Sequence, residues 1–184
     1  MQAPPGQLPG PALLTLLKEG TLAGDWVLDP RRSSIRLKSR SGWGLVPVNG
    51  VFRKVSGSGT ISRDGPASGT LTVAAASIDT GNTQRDAHLR SADFFDSGNY
   101  PDITFTADRI RQSGAGVAMT GALTVRDRTQ TLSFDLAVSV PGDGEIWLDA
   151  EVRVNRADFG ITWNRLGMVS PTTTATIRAV FTRQ

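Results

Sequence analysis

Hydrophobic and polar residues alternate with a period of two over most of this chain, and the alternation breaks wherever Gly, Pro or Asp cluster. In an extended strand successive side chains point to opposite faces, so each alternating run predicts a strand with one dry and one wet face. Such runs lie at 33–40, 45–52, 57–63, 69–78, 102–111, 116–125, 130–140, 145–154 and 172–183. Pro47 places its run at an edge or a bend, because proline cannot donate to a ladder. Asp64-Gly65-Pro66 reads as a turn, and 112–115, 126–129 and 141–144 read as tight loops. Connections this short predict antiparallel neighbours in a meander of hairpins.

Parity locates the dry face. It carries Ile103 and Phe105; Val117, Met119, Leu123 and Val125; Leu132, Phe134, Leu136, Val138 and Val140; Ile146, Leu148, Val152 and Val154; and Ile177 and Phe181. The opposite parity is mostly Thr, Ser, Asp, Arg and Glu. Eight or nine strands with one face each to hide must close on themselves or stack on a second sheet. The expected class is all-β, an eight-stranded antiparallel barrel with a short helical insertion between its early and late strands. A barrel of eight strands is either filled by side chains or wide enough for one small ligand. Ala75, Ala150, Ala175 and Ala179 at inward positions fit a cavity and fit a tapered, filled barrel equally well.

Ahead of the strands, residues 1–11 hold Pro4, Pro5, Pro9 and Pro11 and are expected to be unstructured. Residues 12–19 form a short helix, with Leu13, Leu16 and Leu17 on one side and Gly20 as its C-cap. Residues 1–24 are thus an N-terminal extension, and 25–184 the folded domain, starting near Trp26.

Composition narrows the chemistry. The 184 residues suit one domain, and the absence of cysteine excludes disulfides, thiolate metal sites and thiol nucleophiles. A single histidine, His88, excludes multi-histidine metal sites. The net charge of +3 is too small for a nucleic-acid footprint, and Trp147 is the one aromatic with clear outward parity, so no nucleic-acid partner is expected. Arg36, Lys38 and Arg40 share one face of their strand, opposite Ile35 and Leu37, as a solvated basic face would. Asp149 and Glu151 also share a face, but Arg153 lies on it, which points to a solvated surface rather than a glycosidase pair. There is no G-x-S-x-G, no P-loop and no metal-ligand spacing, so no catalytic residue, metal or resident cofactor is assigned. No secretory signal or membrane-length apolar stretch is visible, so a soluble cytoplasmic protein is expected.

One segment breaks the pattern. Residues 77–96, SIDTGNTQRDAHLRSADFFD, form a long polar insertion. Thr83 with Asp86 resembles a capping box, and Ser91 with Asp93 a second helical cap. The expected structure is a helical cap on a barrel mouth, pressed down by Leu89, Phe94 and Phe95 and knit by ion pairs among Arg85, Asp86, Arg90 and Asp93. His88 beside Asp86 or Asp93 is the only acid–base pair on offer, and no nucleophile accompanies it.

This segment, followed by Tyr100-Pro101-Asp102-Ile103-Thr104-Phe105, resembles the hallmark stretch of the YceI-like family of lipid-binding proteins. Trp26-Val27-Leu28-Asp29-Pro30 with Ser33 and Ser34, Gly121-Ala122-Leu123-Thr124-Val125, and Asn155-Arg156-Ala157-Asp158-Phe159-Gly160-Ile161 agree with it in order. Where many members carry a histidine after the first strand, this chain has Ser39-Arg40-Ser41-Gly42-Trp43-Gly44. The resemblance implies a lipocalin-like barrel with a long apolar tunnel that binds or carries an isoprenoid chain such as a quinone or polyprenyl phosphate. The partner is then a hydrophobic small molecule, with a bound isoprenoid lipid in place of a cofactor, and a homodimer is compatible with the chain. The tunnel wall would be Leu71, Val73, Phe94, Phe95, Ile103, Phe105, Met119, Leu123, Phe134, Leu136, Leu148, Val152, Phe159 and Trp163. Arg85, His88, Arg90 and Arg156 are the head-group candidates. The rival reading is a ligand-free, stress-related interaction module with a filled core.

Overall fold

The computed structural model describes residues 6–142 and 144–184. They form eleven strand segments: β1 (Gly24–Leu28), β2 (Ser34–Ser41), β3 (Val46–Phe52), β4 (Val55–Ile61), β5 (Ala67–Ala74), β6 (Ile78–Asp79), β7 (Asp102–Ser113), β8 (Gly116–Val125), β9 (Arg128–Gly142), β10 (Glu145–Asn155) and β11 (Thr172–Arg183). Two α-helices accompany them, α1 (Gly10–Lys18) and α2 (Thr83–Arg90). No helix among the described residues is long and apolar enough to cross a membrane.

The eleven segments make eight staves of a closed antiparallel barrel. Both β1 and β2 pair with β11, so together they act as one strand broken at Pro30. On their other side β4 pairs with β1 and β3 with β2, giving a second broken stave. A third is β5 with β6, which pair with β4 and β3 around a short 3-10 turn at Ala75–Ser77. The sheet then runs β5–β7–β8–β9–β10–β11 and closes when β11 meets β1 at Trp26↔Arg183, Val27↔Thr182 and Leu28↔Phe181. Between β9 and β10 the ladder runs only from Glu145↔Gly142 to Asp149↔Ala137. Beyond it, a 3-10 turn at Arg156–Phe159 bridges the seam, its Asp158 carbonyl accepting from Gln130 Nε2 at 3.1 Å.

Most strands fall where alternation predicts them, and the differences have local causes. The run 69–78 is two strands because the 3-10 turn interrupts it. In β7 a bulge at 107–109 shifts the period, so Ile103, Phe105 and Ala107 line the interior and then Ile110 does. The 141–144 loop includes Asp143, which lies outside the described residues.

The N-terminal extension departs further from expectation. Pro4 and Pro5 lie outside the described residues, but the chain is ordered from Gln7, which bridges to Ser139, and Leu8 N donates to the Val138 carbonyl at 2.8 Å. The helix starts at Gly10 rather than residue 12, with Pro9 at the N-cap position and Pro11 in the first turn, where a missing N–H costs nothing. Gly10 is required there: a Cβ would stand 2.1 Å from the Gly116 carbonyl oxygen. The helix is a plug. Leu13 and Leu17, one turn apart, are buried with Leu22, Trp26, Val117, Met119 and Val138, and close the barrel end formed by the β4–β5, β7–β8 and β9–β10 hairpins. Each such leucine contributes about 1.5–3 kcal/mol by leaving water.

Two contacts brace the wall, and each makes a prediction. Gly121 faces inward beneath the Phe105 ring, and a Cβ there would stand 2.4 Å from both Phe105 Cζ and the Thr106 carbonyl oxygen. The variant Gly121→Ala is therefore expected to lose about 2–3 kcal/mol and roughly 5–10 °C of melting temperature; an unchanged melt would refute this packing account. The second contact clips the β1–β2 break to β10. Arg32 donates to both carboxylate oxygens of Glu145, Trp147 Nε1 donates to it at 2.9 Å, and the Arg32 guanidinium lies 5.5 Å from the Trp147 ring centroid. Hydrogen bonds from Arg32 and then Trp147 hold the Glu145 carboxyl down at about 2. With the folded value below the unfolded one, this stabilisation is complete above the ordinary carboxylate range and lost as pH falls toward 2. Thermal melts of wild type and Glu145→Gln should diverge as pH rises from about 2 to about 4.5 and run parallel above it; a constant gap throughout would contradict the assignment.

Candidate functional site

The barrel encloses a cavity of about 500 Å³, inside the roughly 300–1,000 Å³ range of small-molecule sites. It runs from Leu13, Leu17, Leu22 and Trp26 beneath α1 to Arg40, Ser41, Arg85, His88, Trp163 and Val169 at the opposite end. All fourteen expected wall residues line it: Leu71, Val73, Phe94, Phe95, Ile103, Phe105, Met119, Leu123, Phe134, Leu136, Leu148, Val152, Phe159 and Trp163. Among the head-group candidates Arg85, His88 and Arg156 line it too, whereas Arg90 does not; its Nη2 donates to the Ile78 carbonyl at 2.8 Å.

The interior stays open because several staves carry little on their inner face. Ala150, Ala175 and Ala179 line the cavity, while Ala75 is fully buried in the 3-10 turn and lines nothing. Glycine contributes as well. Gly59 faces Gly69 across β4–β5, leaving bare backbone in the wall between Trp26 of β1 and Ala107 of β7. The glycine gap and the α1 residues escape the alternation argument, which scores only apolar side chains in strands. The i, i+4 spacing of Leu13 and Leu17 is the signal that identifies the plug.

At the open end α2 forms a lid whose polar residues fold against one another. Asn82, not Thr83, caps the helix, its Oδ1 accepting from Arg85 N at 2.9 Å. The expected arginine–aspartate ion pairs are absent among the described residues. Asp86, only 6 % exposed, instead accepts from Thr80 N at 2.9 Å and Thr80 Oγ1 at 2.6 Å. Arg85 donates to the same threonine, Nε to Oγ1 at 2.8 Å and Nη2 to the carbonyl at 3.0 Å. Ser91 caps the helix C-terminus rather than starting another, its hydroxyl donating to the His88 carbonyl at 2.7 Å. The Asp86 carboxylate and two of the Arg85 nitrogens are thus held by one threonine, which fixes the lid on the β6 end. Leu89 and Phe95 press beneath it, with Phe95 at 5.8 Å from Phe52 between ring centroids.

His88 forms one wall of the mouth. Its ring meets Trp163 edge to face at 4.5 Å and Phe94 at 5.1 Å, and its Nε2 lies 2.8 Å from Asp93 Oδ2. Opposite α2, Arg156 organises the long β10–β11 connection. Its Nη1 donates to the Ile161 and Trp163 carbonyls at 2.9 and 2.7 Å, Nε to Ser170 at 3.0 Å and Nη2 to Val169 at 3.4 Å. Burial lowers the Arg156 pKa from its usual value. With four carbonyls to serve, Arg156 is a clamp on this loop and has little left for a ligand. Asn155 caps the turn, and buried Phe159 and Ile161 anchor it against Val125. On the outer wall Asp149 is paired with Arg178 at 2.8 Å and Glu151 with Arg153 at 3.8 Å, so neither reaches the cavity.

Comparisons with known proteins agree on family and fold. Residues 26–181 match the YceI-like domain. Protein YceI of Escherichia coli O6:H1 is 32 % identical over 120 residues, which is 61 % of this chain and 62 % of that protein. Protein YceI of Salmonella arizonae is 30 % identical over 121 residues, 61 % of this chain and 63 % of its own length. The matches thus span a little under two thirds of these relatives. The Burkholderia cenocepacia BcnA structure superposes with a TM-score of 0.75 at 23 % identity, covering 83 % of this chain and 98 % of its own. A polyisoprenoid binding domain from Saccharophagus degradans gives 0.69 at 17 %, covering 86 % and 98 %. The Campylobacter jejuni YceI protein gives 0.66 at 25 %, covering 74 % and 85 %. With the match running from β1 into β11 and the barrel closed as in these structures, this chain belongs to the YceI-like domain family.

Proposed function

We propose that the barrel binds and carries one hydrophobic, isoprenoid-type chain along its axis, with a polar head group held at the mouth by Arg85 and His88. The observation that carries this reading is the cavity itself: about 500 Å³ of apolar space plugged by α1 and lidded by α2. The likeness to a polyisoprenoid binding domain supports it at the level of the fold. The rival, a ligand-free interaction module, needs a core filled by side chains, and a cavity of this volume weighs against it.

Burying an alkyl chain releases about 0.8 kcal/mol per CH₂ in the ideal case, so several isoprene units bind tightly without any charged anchor. Among the four head-group candidates Arg85 is the best placed. Two of its nitrogens are committed to Thr80, while Nη1 is left to solvent or a ligand. His88 lines the cavity as well, and the contact of its Nε2 with Asp93 braces the ring between Phe94 and Trp163. None of the hydroxyls lining the cavity hydrogen-bonds to the His88 ring among the described residues, so the site favours binding over catalysis.

The test is a titration of delipidated protein with a short-tailed quinone, a polyprenyl phosphate and the matching polyprenol. Wild type should bind each at one per barrel. Ala150→Phe, which narrows the cavity between Leu148 and Val152, should weaken all three at least about tenfold. Arg85→Gln should weaken the phosphate alone, by about tenfold, because a charge-assisted hydrogen bond is lost. A wild-type protein that takes up none of the three overturns the proposal.

A further inference from the structure

The exposed large apolar side chains of this molecule gather at one place. Trp43 is 68 % exposed, Leu45 82 %, Val46 50 % and Leu166 75 %, and beyond these only Val27, at 38 %, joins them among the described residues. The four belong to two loops at the open end of the barrel, the β2–β3 hairpin and the β10–β11 connection. The loops are tied into one tip: Trp43 N donates to the Met168 carbonyl at 3.4 Å, Ser170 N to the Arg40 carbonyl at 2.9 Å, and Arg40 Nη1 to the Gly44 carbonyl at 2.9 Å. Arg40, Ser41, Trp163 and Val169 line the cavity directly beneath, so the tip is the rim of the mouth.

Two features separate this tip from an ordinary surface loop. Trp43 has φ 54° and Leu166 φ 56°, the left-handed region that residues with side chains avoid, yet neither gains burial in return. The charge carried by the two loops themselves is also of one sign. No Asp or Glu occurs between Asp29 and Asp64 or after Asp158, whereas Lys38, Arg40 and Arg165 are exposed and enter no salt bridge among the described residues. An exposed tryptophan and two leucines, projecting rather than grooved and ringed by unopposed cations, match the chemistry of an anionic bilayer surface.

We propose that this tip is a membrane-docking surface. Trp43, Leu45 and Leu166 enter the headgroup region while Lys38, Arg40 and Arg165 meet lipid phosphates. The mouth then opens onto the bilayer, so an apolar chain passes between membrane and cavity without crossing water. The docking stands on the rim alone and does not depend on which ligand the cavity holds.

The test therefore uses vesicles that contain no isoprenoid. Full-length protein is sedimented with phosphatidylcholine vesicles, with and without phosphatidylglycerol, at low and high salt. Wild type should pellet with the anionic vesicles at low salt, weaken about tenfold or more as salt rises, and leave pure phosphatidylcholine largely unbound. Trp43→Ser combined with Leu166→Ser should weaken anionic binding at least about tenfold, with the melting temperature and uptake of a detergent-solubilised quinone unchanged. Wild-type protein that stays in the supernatant at low salt overturns the proposal whatever the variant does. So does a double variant that binds as well as wild type. A dimer in sedimentation equilibrium that the same substitutions abolish, without vesicle binding, would assign the tip to self-association instead.

Discussion

Everything in this structure depends on one short seam. The barrel closes where β1 meets β11, and only three residue pairs make that ladder. The break at Pro30 would end the seam, since proline has no N–H to give. The chain continues it by other means: Asp29 N donates to the Val180 carbonyl at 2.8 Å, and Ser33 Oγ accepts from Val180 N at 3.0 Å while donating to the Asp29 carbonyl at 2.7 Å. Beyond Ser33 the ladder resumes in β2. Without that closure each stave would expose a dry face and an unpaired edge, and no enclosed interior would exist.

Closure creates space, and the ends decide what happens to it. One end is sealed by α1, whose leucines belong to the same apolar cluster as the lower barrel wall. The other is covered by α2 and the 156–171 loop, held by polar contacts: Thr80 between Asp86 and Arg85, and Arg156 among four carbonyls. An apolar plug and a hydrogen-bonded lid differ in kind. The first excludes water from a core, and the second gives a wall that polar and charged groups of a ligand are able to approach. That asymmetry gives the cavity a direction, and the proposed binding would use it with head groups at α2 and chains toward α1.

Much of this was legible in the chain. Alternation in β8 and β11 gave their limits unchanged, and parity named wall residues such as Met119, Phe134 and Leu148 that the structure places around the cavity. Whether the interior was open was not legible, because inward alanines serve either case and the Gly59–Gly69 gap has no side chain to read. The lid was legible as a unit but not in its bonding. Asp86 and Arg85 carry the charges of an ion pair, yet both bond to Thr80, which follows β6 directly. The stretch just ahead of the N-terminal helix was misread for a related reason: its prolines suggest a tail, while Leu8 and Gly10 take their order from contacts with Val138 and Ala115, far along the chain.

The central claim is that the cavity holds an isoprenoid-type chain, and native mass spectrometry of protein purified from its own host tests it most directly. The account predicts a one-to-one adduct whose organic extract yields a hydrophobic molecule built of isoprene units. A clean mass without adduct, from protein that also stays free after incubation with quinones and polyprenyl phosphates, would contradict it.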